Sequence, residues 1–197
     1  MKTICFFVGI FFFIGCTKNF DQAGGTVVKE IETNHGQYLT FTIQKGAHYC
    51  DQNPVKSITI SEMKFMVKFD SSAIYQTEFP ENQYAVNKLW GFSEGTNNHY
   101  NSARIGWSWT NDALRLYGYV YVRGELTYQE ITFVTIGADI SCSIKLAADT
   151  YLFTVNGVAV SLPRGTSGSQ VSGYQQYPYF GGNESAPHLI TILIKSL

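Results

Sequence analysis

The most constraining feature of the sequence is a strict two-residue alternation that runs from Leu114 to Val122. A period of two places successive side chains on opposite faces of a β-strand. The alternation therefore predicts a half-buried strand with one apolar face and one tyrosine-rich face. The apolar face carries Leu114, Leu116, Gly118, Val120 and Val122, and the other face carries Arg115, Tyr117, Tyr119 and Tyr121.

Further strand signals recur along the chain at short spacing and are separated by turns. Asn156-Gly157 is typical of a tight hairpin, and Asn111-Asp112 predicts another turn. Many short strands without convincing helical periodicity predict a single all-β domain, either a sandwich or a barrel. The other predicted strands cover residues 38–43, 57–60, 63–69, 104–109, 130–136, 140–146, 151–155, 158–162 and 190–194.

The N-terminus has the organisation of an export signal. A charged start at Met1-Lys2 is followed by an apolar run, Phe6 to Ile14, which is shorter than the about 20 residues of a membrane-spanning helix. Gly15-Cys16 then resembles a bacterial lipobox, although Phe13 occupies its usual aliphatic position. This resemblance implies a signal peptide over residues 1–15 and a lipid anchor on Cys16. A tether over 16–36, with a short strand at 26–28, would then precede a domain over 37–197 at the outer membrane or cell surface.

The remaining cysteines and the charge balance limit the classes of partner. Cys50 and Cys142 stay in the exported chain, where they can form a disulfide or remain as buried thiols. No Cys/His pattern has zinc spacing, so the sequence predicts no metal site and no cofactor. A net charge of −1 and the lack of a Lys/Arg run argue against nucleic acid as a partner. The oligomeric state is left open.

Five stretches carry a resemblance to known proteins: residues 45–49, 69–75, 87–93, 99–107 and 177–188. Together they resemble a group of secreted proteins from Bacteroidetes-type bacteria, which in turn are similar to concanavalin A-like jelly rolls. Many lectins, glucanases and polysaccharide lyases share that fold. The resemblance implies a β-sandwich of two antiparallel sheets over residues 37–197. Related jelly rolls often carry an Asp near the start of the last strand for a structural calcium, but here Leu189 follows His188.

The resemblance also implies that the concave face of the sandwich binds sugars. Tyr117, Tyr119 and Tyr121 can stack on pyranose rings, although tyrosines on a plain strand surface would give the same pattern. The leading prediction is therefore a cell-surface lipoprotein that binds a poly- or oligosaccharide. The candidate binding residues are Tyr117, Tyr119, Tyr121, Arg115, Asn101, Lys88 and His48.

A second prediction is a polysaccharide lyase that acts on uronates by β-elimination. Such an enzyme needs a cation or amide to neutralise the substrate carboxylate, for which Arg104 or Asn101 is suited. It also needs a base for the C5 proton, for which the candidates are His99, His48 and Tyr119. The catalytic set is thus His99, Arg104 and Tyr119. Alternatively, Asn101 and Arg104 brace a loop and His99 is a plain surface residue.

A glycoside hydrolase is less favoured by the sequence. Hydrolysis usually requires two carboxylates that flank the bond, and no Glu-x-x-x-Glu pair of the laminarinase type is present. A structural or protein-interaction module without sugar activity is the third prediction. The candidate acids are Asp70, Glu78, Glu94, Glu125, Glu130 and Glu184.

Overall fold

The computed structural model describes residues 36–197, which form twelve β-strands and two short 3₁₀ helices. The predicted lipobox, the tether up to residue 35 and the strand at 26–28 lie outside the described residues. The helices are Ser71–Ala73 and Pro80–Tyr84. The strands are β1 Leu39–Ile43, β2 Ser57–Ile60, β3 Glu62–Phe69, β4 Asn87–Glu94, β5 Asn101–Thr110, β6 Ala113–Val122, β7 Glu125–Val134, β8 Ile140–Leu146, β9 Thr150–Val155, β10 Val158–Pro163, β11 Val171–Gln176 and β12 Ile190–Ser196.

The strands are arranged in two six-stranded antiparallel sheets. Sheet A has the order β1-β12-β3-β8-β9-β10, and sheet B has the order β2-β11-β4-β5-β6-β7. Because the strands form two separate sheets, the architecture is a sandwich and not a barrel. The all-β prediction is confirmed. Within residues 36–197, no helix is long and apolar enough to cross a membrane.

The core lies between the two sheets and is filled from one face of each strand. In β6 the side chains of Leu114, Leu116 and Val120 are fully or almost fully buried, as the alternation predicts. Trp107 of β5 packs against Phe69 of β3, with ring centroids 5.3 Å apart. Because the inward faces are used for this packing, the tyrosine-rich face of β6 lies on the outer side of sheet B.

The sequence pattern did not predict two strands of sheet B, β4 and β11. In β4 a bulge between Lys88 and Trp90 shifts the register, so apolar and polar positions do not alternate. In β11 only Val171 is aliphatic, so apolar and polar residues do not alternate there. Strand β7 also begins at Glu125, five residues before the predicted start at 130.

Both cysteines of the domain are buried free thiols. Cys50 forms an isolated bridge with Ile43 at the edge of sheet A, and Cys142 lies in β8. Of the two possibilities left open by the sequence, the structure contains buried thiols and not a disulfide.

Candidate functional site on the outer face of sheet B

The strand register brings one row of side chains together across the outer face of sheet B. Gln176 lies opposite Gly91, Gly91 opposite Arg104, Arg104 opposite Tyr119, and Tyr119 opposite Tyr128. Directly opposed residues of antiparallel strands project to the same face. In this row Arg104 lies between the amide of Gln176 on one side and two tyrosines on the other, and these four residues come from four different strands.

A second, neighbouring row adds a lysine to the same face. Tyr179 forms a bridge with Lys88, which lies opposite Gly106, and Gly106 lies opposite Tyr117. Since Gly106 has no side chain, Lys88 can reach across β5, and its Nζ lies 5.2 Å from the centroid of the Tyr119 ring. The same Nζ lies 5.2 Å from the centroid of the Tyr179 ring. The ammonium group is thus held between two aromatic rings.

Arg104 is buried without a charged partner. Its side chain is only 5% exposed, its Nη2 donates to the carbonyl oxygen of Asn98 at 3.0 Å, and its Nε has no hydrogen-bond partner. No carboxylate within residues 36–197 forms a salt bridge with it. Burial holds the pKa of Arg104 below its ordinary value, although a guanidinium stays cationic in proteins. A buried cation with free donors is the feature expected of an anion-binding site.

Lys88 reinforces this positive charge. Burial, followed by the charge of Arg104, lowers the pKa of Lys88 to about 8. No carboxylate of the described chain forms a salt bridge with Lys88 either. Two like charges are therefore held close together in a partly desolvated setting, which a bound anion would stabilise.

His99 lies at the border of this face and contacts Tyr121 edge-on, with centroids 5.0 Å apart. Burial lowers the pKa of His99, and the charges of Arg104 and Lys88 lower it further. The imidazole is therefore neutral near neutral pH and able to accept a proton. Burial raises the pKa of Tyr119, as does neighbouring Tyr121. Tyr119 thus stays protonated, and with 3% exposure it forms the floor of the site.

Three other candidates from the sequence have different surroundings. Arg115 shares the face but is paired with Glu130, at 2.9 and 3.1 Å. Asn101 belongs to the opposite face of β5 from Arg104, where its Oδ1 accepts the backbone N–H of Arg123 at 2.9 Å. His48 stacks on Tyr179 with centroids 5.3 Å apart. The residues that the structure brings together are Lys88, Arg104, His99, Tyr117, Tyr119 and Tyr121.

Three residues of this face were missed by sequence reasoning: Tyr128, Tyr179 and Gln176. Tyr128 lies two residues before Glu130, which places both side chains on the same face of a regular strand. The predicted strand began at residue 130 and therefore left Tyr128 out. Tyr179 lies outside the twelve strands and joins the sheet only through its bridge to Lys88. Gln176 ends a strand whose composition gave no strand signal, so nothing in the pattern placed it here.

The acids that hydrolysis would require are mostly used in structural contacts. Glu94 is paired with Arg164 at 2.8 Å, and Glu130 with Arg115. Asp70 caps the first 3₁₀ helix, and Glu184 accepts the backbone N–H groups of Glu78 and Phe79. Within the described residues, no group of three or more His, Cys, Asp or Glu could hold a metal ion.

Comparisons with known proteins identify the fold. No protein-family model matches the chain, and no curated protein matches it in sequence. The alginate lyase AlyC3 is 9% identical, with a TM-score of 0.54 over 81% of this chain and 74% of that one. The marine PL7 alginate lyase AlyA1 from Zobellia galactanivorans is 11% identical, with a TM-score of 0.52 over 81% and 76%.

A GH16 protein of a mixed-linkage glucan PUL from Bacteroides ovatus is 10% identical, with a TM-score of 0.51 over 81% of each chain. At these identities the likeness concerns the fold and not the chemistry of the site. Residues 36–197 form a concanavalin A-like jelly-roll β-sandwich.

Proposed function

We propose that the outer face of sheet B binds an acidic polysaccharide and that Arg104 and Lys88 receive its anionic group. The observation that carries this proposal is the buried guanidinium of Arg104, which has no carboxylate partner within residues 36–197. Leaving a buried charge uncompensated costs free energy of folding. A carboxylate or sulfate of a ligand would supply the missing negative charge and accept charge-assisted hydrogen bonds from the guanidinium.

The aromatic surroundings favour a sugar as the carrier of that anion. Tyr121 and Tyr128 are partly or largely exposed beside the cations, and such rings can stack on the apolar face of a pyranose. Two of the solved structures with a similar fold are named as alginate lyases. Because alginate is acidic, a positive site agrees with a ligand of that class.

The proposal is tested by calorimetric titration of the purified chain with alginate and with a neutral β-glucan. We expect binding of alginate only, and we expect Arg104→Gln to weaken it about ten- to a hundredfold. Arg115→Gln is the matched control, because Arg115 lies on the same face but is already paired with Glu130. Equal binding of the neutral glucan, or an unchanged affinity of Arg104→Gln, would contradict the proposal. If none of the acidic polysaccharides binds, an interaction module without sugar activity would be favoured.

A second candidate function at the same site is β-elimination, and the position of His99 against Tyr121 at the border of the cationic face is the observation that favours it. In this reaction Arg104 neutralises the uronate carboxylate and His99 takes the C5 proton. The electrons of the C5–H bond form a C4=C5 double bond. The C4–O bond breaks, and the leaving oxygen takes up a proton from water. Tyr119 contributes the floor of the site and not the base, because it stays protonated.

Turnover and binding can be separated experimentally. A lyase would release unsaturated uronates, which absorb in the ultraviolet. His99→Ala should then remove the rise in absorbance while alginate still binds. Binding without any absorbance change in the unaltered chain would leave the binding function and exclude the lyase.

We also propose that the chain is exported and anchored through lipid on Cys16, at the outer membrane or cell surface. The charged start, the apolar run and Gly15-Cys16 support this address. Mass spectrometry of the N-terminal peptide from expressing bacteria should show an acylated Cys16, and Cys16→Ser should release the protein from the membrane fraction. An unmodified Cys16 would disprove the anchor.

A further inference from the structure

Two short segments outside the twelve strands enlarge the outer face of sheet B. The backbone groups of Tyr179 and Lys88 exchange two hydrogen bonds of 2.9 Å, and Tyr49 forms a bridge with Tyr179 on the other side. Phe180 donates its N–H to the carbonyl oxygen of His48 at 2.8 Å. The face therefore continues past β4 by two further chain segments.

The side chains on this extension are aromatic and continue from the cations. The Tyr179 ring contacts the Nζ of Lys88, and the Tyr49 ring meets Tyr179 edge-on, with centroids 4.9 Å apart. Tyr49 is 64% exposed. An exposed aromatic pair that is continuous with a charged site differs from isolated surface tyrosines, which are common on any protein.

The extension is held in place before any ligand binds. The ring of His48 stacks on Tyr179, and its Nδ1 is hydrogen-bonded to the carbonyl group of Phe180 at 2.8 Å. The buried side chain of Asn87 accepts the N–H of Gly181 at 2.7 Å. Aromatic rings that are already ordered lose little conformational entropy when they bind a ligand.

The spacing of the segments sets the size of ligand that this surface fits. Neighbouring strands lie about 4.8 Å apart, so Tyr49 is about 10 Å from the position of Lys88 on one side. In the other row, Tyr128 is about 10 Å from the position of Arg104, with β6 between them. A ligand that contacts the cations and both aromatic ends must therefore contain several sugar units.

We propose that Tyr49 and Tyr179 form a second sugar subsite, which binds a unit next to the one whose anionic group meets Lys88 and Arg104. This inference rests on the proposed function and specifies its ligand as an oligosaccharide segment in place of a single acidic sugar. Tyr179 lies next to the cation, and Tyr49 forms the outer end of the subsite.

The test compares a single uronate monosaccharide with alginate hexasaccharide by calorimetric titration of the full chain. The unaltered protein should bind the hexasaccharide at least about tenfold more tightly. Tyr49→Ala should lose about five- to tenfold of that affinity while its affinity for the monosaccharide stays unchanged. Tyr49→Phe, which keeps the ring, should retain most of the affinity.

Tyr84→Ala is the matched control, because Tyr84 is 66% exposed but lies on the second 3₁₀ helix, away from these rows. It should bind both probes as the unaltered chain does. If Tyr49→Ala binds the hexasaccharide normally while Arg104→Gln does not, the subsite is disproved and the proposed function survives. If neither probe binds the unaltered chain, the proposed function itself fails, and the subsite fails with it.

Discussion

At the scale of single residues, a buried guanidinium without a carboxylate costs free energy of folding, since its desolvation is not compensated. Arg104 is such a group, with one hydrogen bond to Asn98 and a free Nε. We predict that Arg104→Met raises the free energy of unfolding by about 1 to 2 kcal/mol, because it removes the buried charge and keeps most of the volume. Urea denaturation of the two proteins measures the difference.

Arg164 provides the matched control for this prediction, because it is equally buried but paired. Its side chain and that of Glu94 are 1% and 6% exposed and lie 2.8 Å apart. Arg164→Met leaves the carboxylate of Glu94 uncompensated and should lower the free energy of unfolding by about 3 to 5 kcal/mol. If Arg104→Met is destabilising to a similar degree, Arg104 is a structural brace and the argument for an anion site loses its main support.

Because Lys88 is one of the two proposed anion-binding residues, we predict that the affinity for an anion depends on pH. Burial and the charge of Arg104 lower its pKa to about 8, so it loses its proton as the pH rises through that value. A carboxylate or sulfate stays ionised over the same range. The affinity should therefore fall about tenfold as the pH rises from about 7 to about 10.

Titration of alginate at a series of pH values tests this dependence. Lys88→Met should bind more weakly at every pH and show a flat profile between about pH 7 and about pH 10, since the group that titrates is gone. The same decline in Lys88→Met would assign the dependence to another group.

At the scale of secondary-structure elements, sequence patterning succeeded where one face of a strand is buried and its register is regular. β6 is the clearest case, because each second residue enters the core. The pattern failed at β4, where the bulge places Leu89, Trp90 and Phe92 all in the core. It also failed at Tyr179, which a single bridge between distant segments brings beside Lys88. Long-range pairing of this kind leaves no local signal in the chain.

Two glycines of β4 and β5 should respond differently to the same substitution. A Cβ at Gly91 would lie 2.1 Å from the backbone oxygen of Ala103, whereas a Cβ at Gly106 would lie 2.5 Å from Cγ1 of Val86. Backbone that is paired in a sheet cannot move away as a valine methyl can. We predict that Gly91→Ala lowers the free energy of unfolding by about 3 kcal/mol and Gly106→Ala by about 1 kcal/mol.

Urea denaturation of both variants measures these costs, and each variant serves as the control for the other. Equal costs would mean that the β4–β5 pairing adjusts as easily as a side chain does. A larger cost for Gly106→Ala would contradict the prediction outright.

At the scale of the whole molecule, packing uses the inner faces of the two sheets. Sheet A and the inner face of sheet B form one core, and this leaves the outer face of sheet B for charged and aromatic side chains. The strand pattern predicted an all-β sandwich or barrel with a tyrosine-rich strand face, and the resemblance implied the sandwich. The order of strands was not predictable from the pattern, because β12 lies between β1 and β3 and is separated from both by most of the chain.

The stability of the sandwich should therefore come from packing alone, without a covalent cross-link. Strands β1, β12 and β3 lie between the segment of Cys50 and the strand of Cys142, whereas a disulfide requires Cα atoms within about 7 Å. Burial also raises the pKa of Cys50 to about 11, so little thiolate is available near neutral pH. We predict that a reductant leaves the urea midpoint of a chain beginning at Thr17 unchanged, and that both thiols react only after unfolding. A disulfide would contribute about 2 to 5 kcal/mol, so a lower midpoint in reductant would show that the sheets are linked.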